Sequence, residues 1–218
     1  MLAAGITFAP VAKSVNAVVP ELRAQGAETI VLLLHQGNDC ADSDLKLLDP
    51  AIDVVIMGHG HKTYTCKGPP VASQAGEFGQ HFTVVDLRIE VPSQALLSVV
   101  ATNEDTTRDA ADPLVEKLLE SYAPAVSAAG DKVVGSISET LSLGVGVGGQ
   151  VAAGLMVADA FLAATSGDAV VAFTNKGGVR DGLFYPKSGA ETVDGQVTYA
   201  EIFNVTPFSN TVVTMTLT

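Results

Sequence analysis

Three of the four histidines in this 218-residue chain fall in two short stretches whose surroundings suit metal or phosphate chemistry. His35 closes the apolar run at 30–34, and His59 and His61, alternating with Gly58 and Gly60, close the run at 54–57. Imidazole is the commonest metal ligand near neutral pH, and two histidines two apart in a glycine turn can converge on one centre. Gly58 and Gly60 remove side-chain obstruction and permit the backbone angles of a tight turn. A lone histidine would read as a hydrogen-bonded or surface residue; three at two strand ends read as a metal or substrate site. His81 has no glycine-turn context and reads as surface or structural. A second cluster, Asn175-Lys176-Gly177-Gly178-Val179-Arg180, follows the apolar run at 169–174. Its glycine pair allows a turn that presents backbone N–H groups, while Asn175 and Arg180 offer directional hydrogen bonds to phosphate or ribose. A plain glycine-rich turn at a strand end is the alternative.

The elements that must hold these groups follow from periodicity. The runs at 30–34 and 54–57 are apolar without alternation, as in strands of a parallel sheet buried on both faces by helices. In such sheets ligands bind beyond the carboxyl ends of the strands, where His35, His59 and His61 stand. A strand is expected at 5–8. A helix is expected at 11–25, with Val15, Val18, Val19 and Leu22 on one face and Gly26 as its stop. Pro20 inside it should kink or shorten it. A helical turn at 45–48 and strands at 71–75 and 82–89 come next. Polarity rises over 92–112, which reads as a connection between domains. Asp112-Pro113 then caps a helix whose stripe of Leu114, Val115, Leu118, Leu119 and Tyr122 should pack on the next domain, with Pro124 ending or bending it. The second half repeats the α/β pattern: a strand near 132–138, a glycine turn, a helix at 151–165, a strand at 169–174, a short helix at 198–204 and a last strand at 211–217. Gly144, Gly146 and Gly149 satisfy G-x-G-x-x-G, but the residues before them are polar and the next strand ends in Thr174-Asn175 rather than an acid, Asp168 lying at its start. They read as a loop leading into a helix.

Acidic residues outnumber basic ones, 24 to 12, giving a net charge of −12, which argues against a nucleic-acid polymer or an anionic membrane as partner. A phosphate ligand would need local cations, from metals or a few placed arginines. No apolar run approaches the length of a membrane helix, and residues 1–16 lack the pattern of a signal peptide.

The string H-Q-G at 35–37 followed by D-V-V-I-M-G-H-G-H at 53–61 resembles a calcineurin-like metallophosphoesterase domain. More narrowly, it is similar to the bacterial 5′-nucleotidase / UDP-sugar hydrolase / 2′,3′-cyclic phosphodiesterase family. Gln74-Ala75-Gly76 and Gly79 resemble the stretch that closes that domain. The N-x-G-G-x-R of residues 175–180 and the Pro207-Phe208-Ser209-Asn210 turn resemble signatures of the family's C-terminal domain, and Tyr199 fits the element before that turn as a structural residue. The resemblance covers nearly the whole chain. It implies the C-terminal part of a metallophosphoesterase α/β sandwich over 1–107, a linker helix over 108–130, and a truncated 5′-nucleotidase C-terminal α/β domain over 131–218. It also implies a site with two divalent metal ions, zinc, manganese or similar. His35 and His59 would ligate one ion and His61 the other, activating a water for attack on a phosphate ester. Asn175, Gly177, Gly178 and Arg180 would contact a nucleotide or nucleotide-sugar substrate, and Phe208 would form one wall of a base-stacking clamp.

Cys40 follows His35 by five residues and Cys66 follows His61 by five, so neighbouring strand ends would bring the cysteines together. Free thiols, thiolate ligands and a disulfide are all open on that ground. The resemblance to a His/Asp/Asn metal site points to the disulfide, and with it to an oxidising, periplasmic or secreted location. The family's Asp-x-His, bridging aspartate and Gly-Asn-His motifs have no counterpart, residues 139–151 contain no arginine, and a second stacking aromatic is absent. The chain is therefore expected to be a segment cut at both ends, lacking its signal peptide, with no catalytic histidine and negligible hydrolysis by itself. Exposed sheet edges suggest a homodimer. Cyclic phosphodiesterase or thiosulfohydrolase-like specificity, and a non-catalytic nucleotide-binding remnant, are the alternatives.

Overall fold

The run at 54–57 is inside a sheet because it pairs in parallel with a strand on each side, Val31–Leu34 and Val71–Ala75, each reached by the long crossover that parallel pairing needs. In the computed structural model, which describes residues 6–36, 39–41, 43–146 and 149–216, the chain divides into two compact units, Met1–Ala110 and Ala111–Thr218. In the first, β1 (Val31–Leu34), β2 (Val54–Met57) and β4 (Val71–Ala75) run parallel, and β3 (Thr63–Cys66) pairs antiparallel with β4, in the order β1-β2-β4-β3. Val31 lies opposite Val54 and Leu34 opposite Met57, so both strands end level.

Three short helices, α1 (Val11–Asn16), α2 (Val19–Ala24) and α3 (Ser43–Leu47), line one face. Ala12, Val19, Leu45, Leu48 and Ile52 pack there against Val55, Met57 and Ala72. The long helix expected at 11–25 is thus two helices, and Pro20 sits in the first turn of the second, where its missing N–H costs nothing. Asn16 ties the helices together, donating to Leu47 O at 2.8 Å and accepting from Asp49 N at 2.8 Å. β2 is buried, as expected, but β1 is an edge strand with Val31 and Leu33 exposed, 49% and 77%. Leu32 and Leu34 pack on the core while Val31 and Leu33 point to the opposite, exposed face, so the two-sided burial inferred from composition does not extend to β1.

On the other face of β4 lies a hairpin of β5 (His81–Ile89) and β6 (Leu96–Asp105). β6 occupies about half of the stretch read as a domain connection, since its alternating polar residues pair with β5. Strand periodicity turns Ser73 toward this hairpin. Its hydroxyl donates to Asn103 Oδ1 at 2.9 Å and lies 3.0 Å from that of Thr83, while the Asn103 amide donates to Tyr64 O and Gln74 O. Residues 6–8 form no strand, and Gly5 lies outside the described residues.

In the second unit, α4 (Pro113–Gly130) begins at Asp112, whose carboxylate accepts from Leu114 N and Val115 N, and runs through Pro124 without ending there. The expected packing of its apolar stripe is not found: Leu114, Val115, Leu118, Leu119 and Tyr122 are exposed. β7 (Val133–Ser136) pairs antiparallel with β8 (Gln196–Thr198). α5 (Ala152–Ala164) supplies Ala153 and Val157 to a core with Val179, Leu183, Val197 and Val205. α6 (Tyr199–Val205) starts in a capping box in which Thr198 and Glu201 satisfy each other's backbone N–H groups. The strands expected at 169–174 and 211–217 are not formed over the described residues, Leu217 lying outside them. β-branched composition favours a pleated surface but cannot supply a partner strand. Among the described residues, no helix is long and apolar enough to cross a membrane.

Candidate functional site

The level ends of β1 and β2 set the histidines side by side. Gly58 N donates to Leu34 O at 3.1 Å, extending the parallel pairing one step past both strands, so His35 and His59 emerge from the same rim. Their rings meet edge to face with centroids 5.2 Å apart. Gly58 is required for that approach, because a Cβ there would lie 2.8 Å from His35 Nδ1. The chain then turns tightly, with Gly60 N donating to Gly58 O at 2.8 Å and both His59 (φ 69°) and His61 (φ 53°) in the left-handed region. Non-glycine residues in that region cost about 1 kcal/mol or more each and are held by their surroundings.

His61 is not part of the His35–His59 pair. Its Nδ1 meets the Glu77 carboxylate, and its ring lies against Phe78 with centroids 6.0 Å apart. Behind the turn, the buried Gln74 accepts from Lys62 N at 3.3 Å and donates to the Tyr64 hydroxyl at 3.2 Å, which itself reaches Met57 Sδ. Sequence reasoning saw Gln74-Ala75-Gly76 only as a closing stretch and missed Glu77. The signal available was strand parity, which puts Gln74 on the face of Ala72, beneath the turn.

Cys40 and Cys66 form a disulfide with Cα atoms 5.3 Å apart, joining the segment after His35 to the end of β3. Beside it, Asp39 accepts from Ala41 N at 2.9 Å and pairs with Lys62 at 3.4 Å. The Ala41 N–H foremost, and then Lys62, hold the Asp39 carboxyl below its ordinary range.

His35 and His59 stand at a separation at which two imidazoles can serve one divalent ion, so they fit as part of a metal shell. Among the described residues no three His, Cys, Asp or Glu side chains converge to complete one.

The second unit gathers the other predicted residues. Asn175 leads into a single 3-10 turn, Lys176–Gly178, closed by Gly178 N donating to Asn175 O at 2.9 Å. A Cβ on Gly178 would sit 2.8 Å from Asn175 Oδ1, so this glycine lets the amide lie against its own turn. Arg180 N donates to Val205 O at 2.8 Å, which fastens the turn to the end of α6 and thereby to the Pro207-Phe208 segment. The Arg180 guanidinium lies over the Phe208 ring, 5.2 Å from its centroid. Asn175 and Lys176 also border a pocket of about 300 Å³ whose other walls include Leu143, Val151, Leu155 and Phe173. Gly146 and Gly149 form a loop into α5, with 147–148 outside the described residues. Tyr199 opens α6 and stacks loosely on Phe203.

Residues 133–218 match the family described as 5′-nucleotidase, C-terminal domain. The match lies wholly within the second unit. The chain is 27% identical over 210 residues to the trifunctional nucleotide phosphoesterase protein YfkN of Bacillus subtilis (strain 168), an alignment covering 87% of this chain and 13% of that protein. A Staphylococcus aureus protein assigned as a 5′-nucleotidase, solved in complex with alpha-ketoglutarate, superposes with a TM-score of 0.57 at 16% identity. That match covers 94% of this chain and 41% of the other, and it is a likeness of fold. The chain thus spans less than half the length of either protein. The α/β architecture read from the sequence is the one observed.

Proposed function

We propose that the chain serves in a metal-dependent nucleotide phosphoesterase, its second unit holding the nucleotide and its first supplying histidines to a metal centre. The observation that carries this reading is Arg180 lying over Phe208 on a turn tied to α6, within the segment that matches the family. A guanidinium and an aromatic face on neighbouring turns suit a ligand that joins an anionic phosphate to a flat base. Asn175, held against Gly177 and Gly178, offers an amide to the sugar or phosphate. His35 and His59 would hold one divalent ion, and His61 a second. Two such ions, when bound, polarise a phosphoryl oxygen and lower the pKa of a bound water. The disulfide suits the oxidising, periplasmic or secreted location that a nucleotide-scavenging enzyme would occupy.

That no three donors converge among the described residues favours a second reading, a nucleotide-binding chain without catalysis of its own. Titrating the chain with AMP, UDP-glucose and inorganic phosphate, followed by calorimetry, tests the binding half of the proposal. Phe208→Ala should weaken AMP by roughly 10-fold or more, as loss of one stacking face does, and leave phosphate unchanged. Arg180→Ala should weaken both. If none of the three ligands binds at millimolar concentration, the proposal is wrong. Turnover of AMP or bis-p-nitrophenyl phosphate by this chain, with stoichiometric metal, would instead exclude the non-catalytic reading.

A further inference from the structure

We infer that Glu77 is the positioning residue of His61, fixing its proton on Nδ1 so that Nε2 is the nitrogen presented to a metal ion. The inference rests on the proposal above that His61 is a metal donor. A neutral imidazole carries one proton, and the nitrogen that bears it is set by the partner of the other ring position. The Glu77 carboxylate can only accept, so a neutral His61 facing it through Nδ1 must donate from Nδ1 and leave Nε2 bare. Among the described residues Nε2 has no protein partner.

An exposed pair of this kind would ordinarily be loose, and three contacts show why this one is held. Lys62, the residue next to His61, is gripped on both sides: its N–H donates to the buried Gln74 side chain at 3.3 Å, and its carbonyl accepts from Gly76 N at 2.9 Å. Gly76 is the residue before Glu77, so the same backbone bond that fixes the histidine turn also fixes the base of the carboxylate. Phe78 then flanks the His61 ring, limiting its rotation. Gln74 and Gly76 therefore act on the turn, and Glu77 on the ring. This division accounts for a histidine that keeps a left-handed backbone (φ 53°) where a glycine would be less strained. A carboxylate on the far nitrogen of a ligating histidine also raises that ligand's basicity, and its removal typically weakens metal binding by about 10–100-fold.

The test reads the tautomer directly. Long-range ¹H–¹⁵N NMR of the metal-free chain, at a pH where the imidazole is neutral, should show His61 protonated on Nδ1. Glu77→Ala should move the proton toward Nε2, while Glu77→Gln, which keeps an accepting oxygen, should restore the Nδ1–H form. His35 and His59 signals should be unmoved and report that the fold is intact. Zinc titration should then shift His61 Nε2 in the parent chain, with affinity lowered about 10–100-fold by Glu77→Ala. A parent His61 protonated on Nε2, or zinc bound equally by the parent and Glu77→Ala chains, overturns the role given to Glu77. A tautomer that responds to Glu77 in a chain whose His61 never responds to zinc upholds the positioning and overturns the metal assignment.

Discussion

Reducing the Cys40–Cys66 disulfide should loosen the first unit and leave the second untouched. The bond closes a loop of 26 residues, for which chain entropy gives about 3.5 kcal/mol at 25 °C. The loop contains α3 and β2, so the freedom regained on unfolding belongs to the centre of the sheet. Val54 and Val55 are buried, and their amides exchange with solvent only when the sheet opens. A loss of about 3.5 kcal/mol is roughly a 300-fold rise in the opened population. Hydrogen exchange followed by mass spectrometry reads this directly, since a peptide spanning β2 should exchange roughly 300-fold faster after reduction. A peptide spanning β8, in the other unit, provides the internal control and should not change. The Cys40→Ser/Cys66→Ser double variant should reproduce the reduced protein. With both thiols shown free by alkylation, a β2 acceleration below about tenfold would refute the loop-entropy account. Equal acceleration of β8 would refute the independence of the two units.

Two further outcomes follow from single positions. Gly58→Ala should change stability by less than about 1 kcal/mol, because the clash falls on the exposed His35 ring rather than on a packed core. It should nevertheless abolish the nuclear Overhauser contact between His35 and His59, and a retained contact would show that the glycine is not needed for their approach. Thr198→Ala removes one half of the capping box on α6 and should destabilise the second unit by about 1 kcal/mol in urea unfolding, with β2 protection unchanged.

The histidine rim was legible in the sequence because two short apolar, β-branched runs ending in His35 and in Gly58-His59-Gly60-His61 read as parallel strands ending together. The same periodicity misread β1 as fully buried, since composition does not distinguish an edge strand from a central one. It placed strands at 169–174 and 211–217 on apolar content alone, where Val170, Phe173 and Val213 are exposed. It also read 92–112 as a connection, because a hairpin with one solvated face looks polar until its partner strand is known.

What the sequence by itself determined was chemistry tied to local order: which side chains end which runs, the two glycine turns, and the helix cap at Asp112. These depend on neighbours within a few residues, and the chain writes them out. What only the tertiary structure decided was pairing at a distance. It brought His35 beside His59 and sent His61 to Glu77. It joined Cys40 to Cys66 among three open fates, laid Arg180 over Phe208, and put Gln74 beneath the turn. The approach of His35 to His59 and the place of Gln74 are fixed by strand register and by which face of a strand a residue occupies, and a shift of one residue would exchange those partners. Arg180 meets Phe208 through the backbone bond from Arg180 N to Val205 O, which joins two turns far apart in sequence.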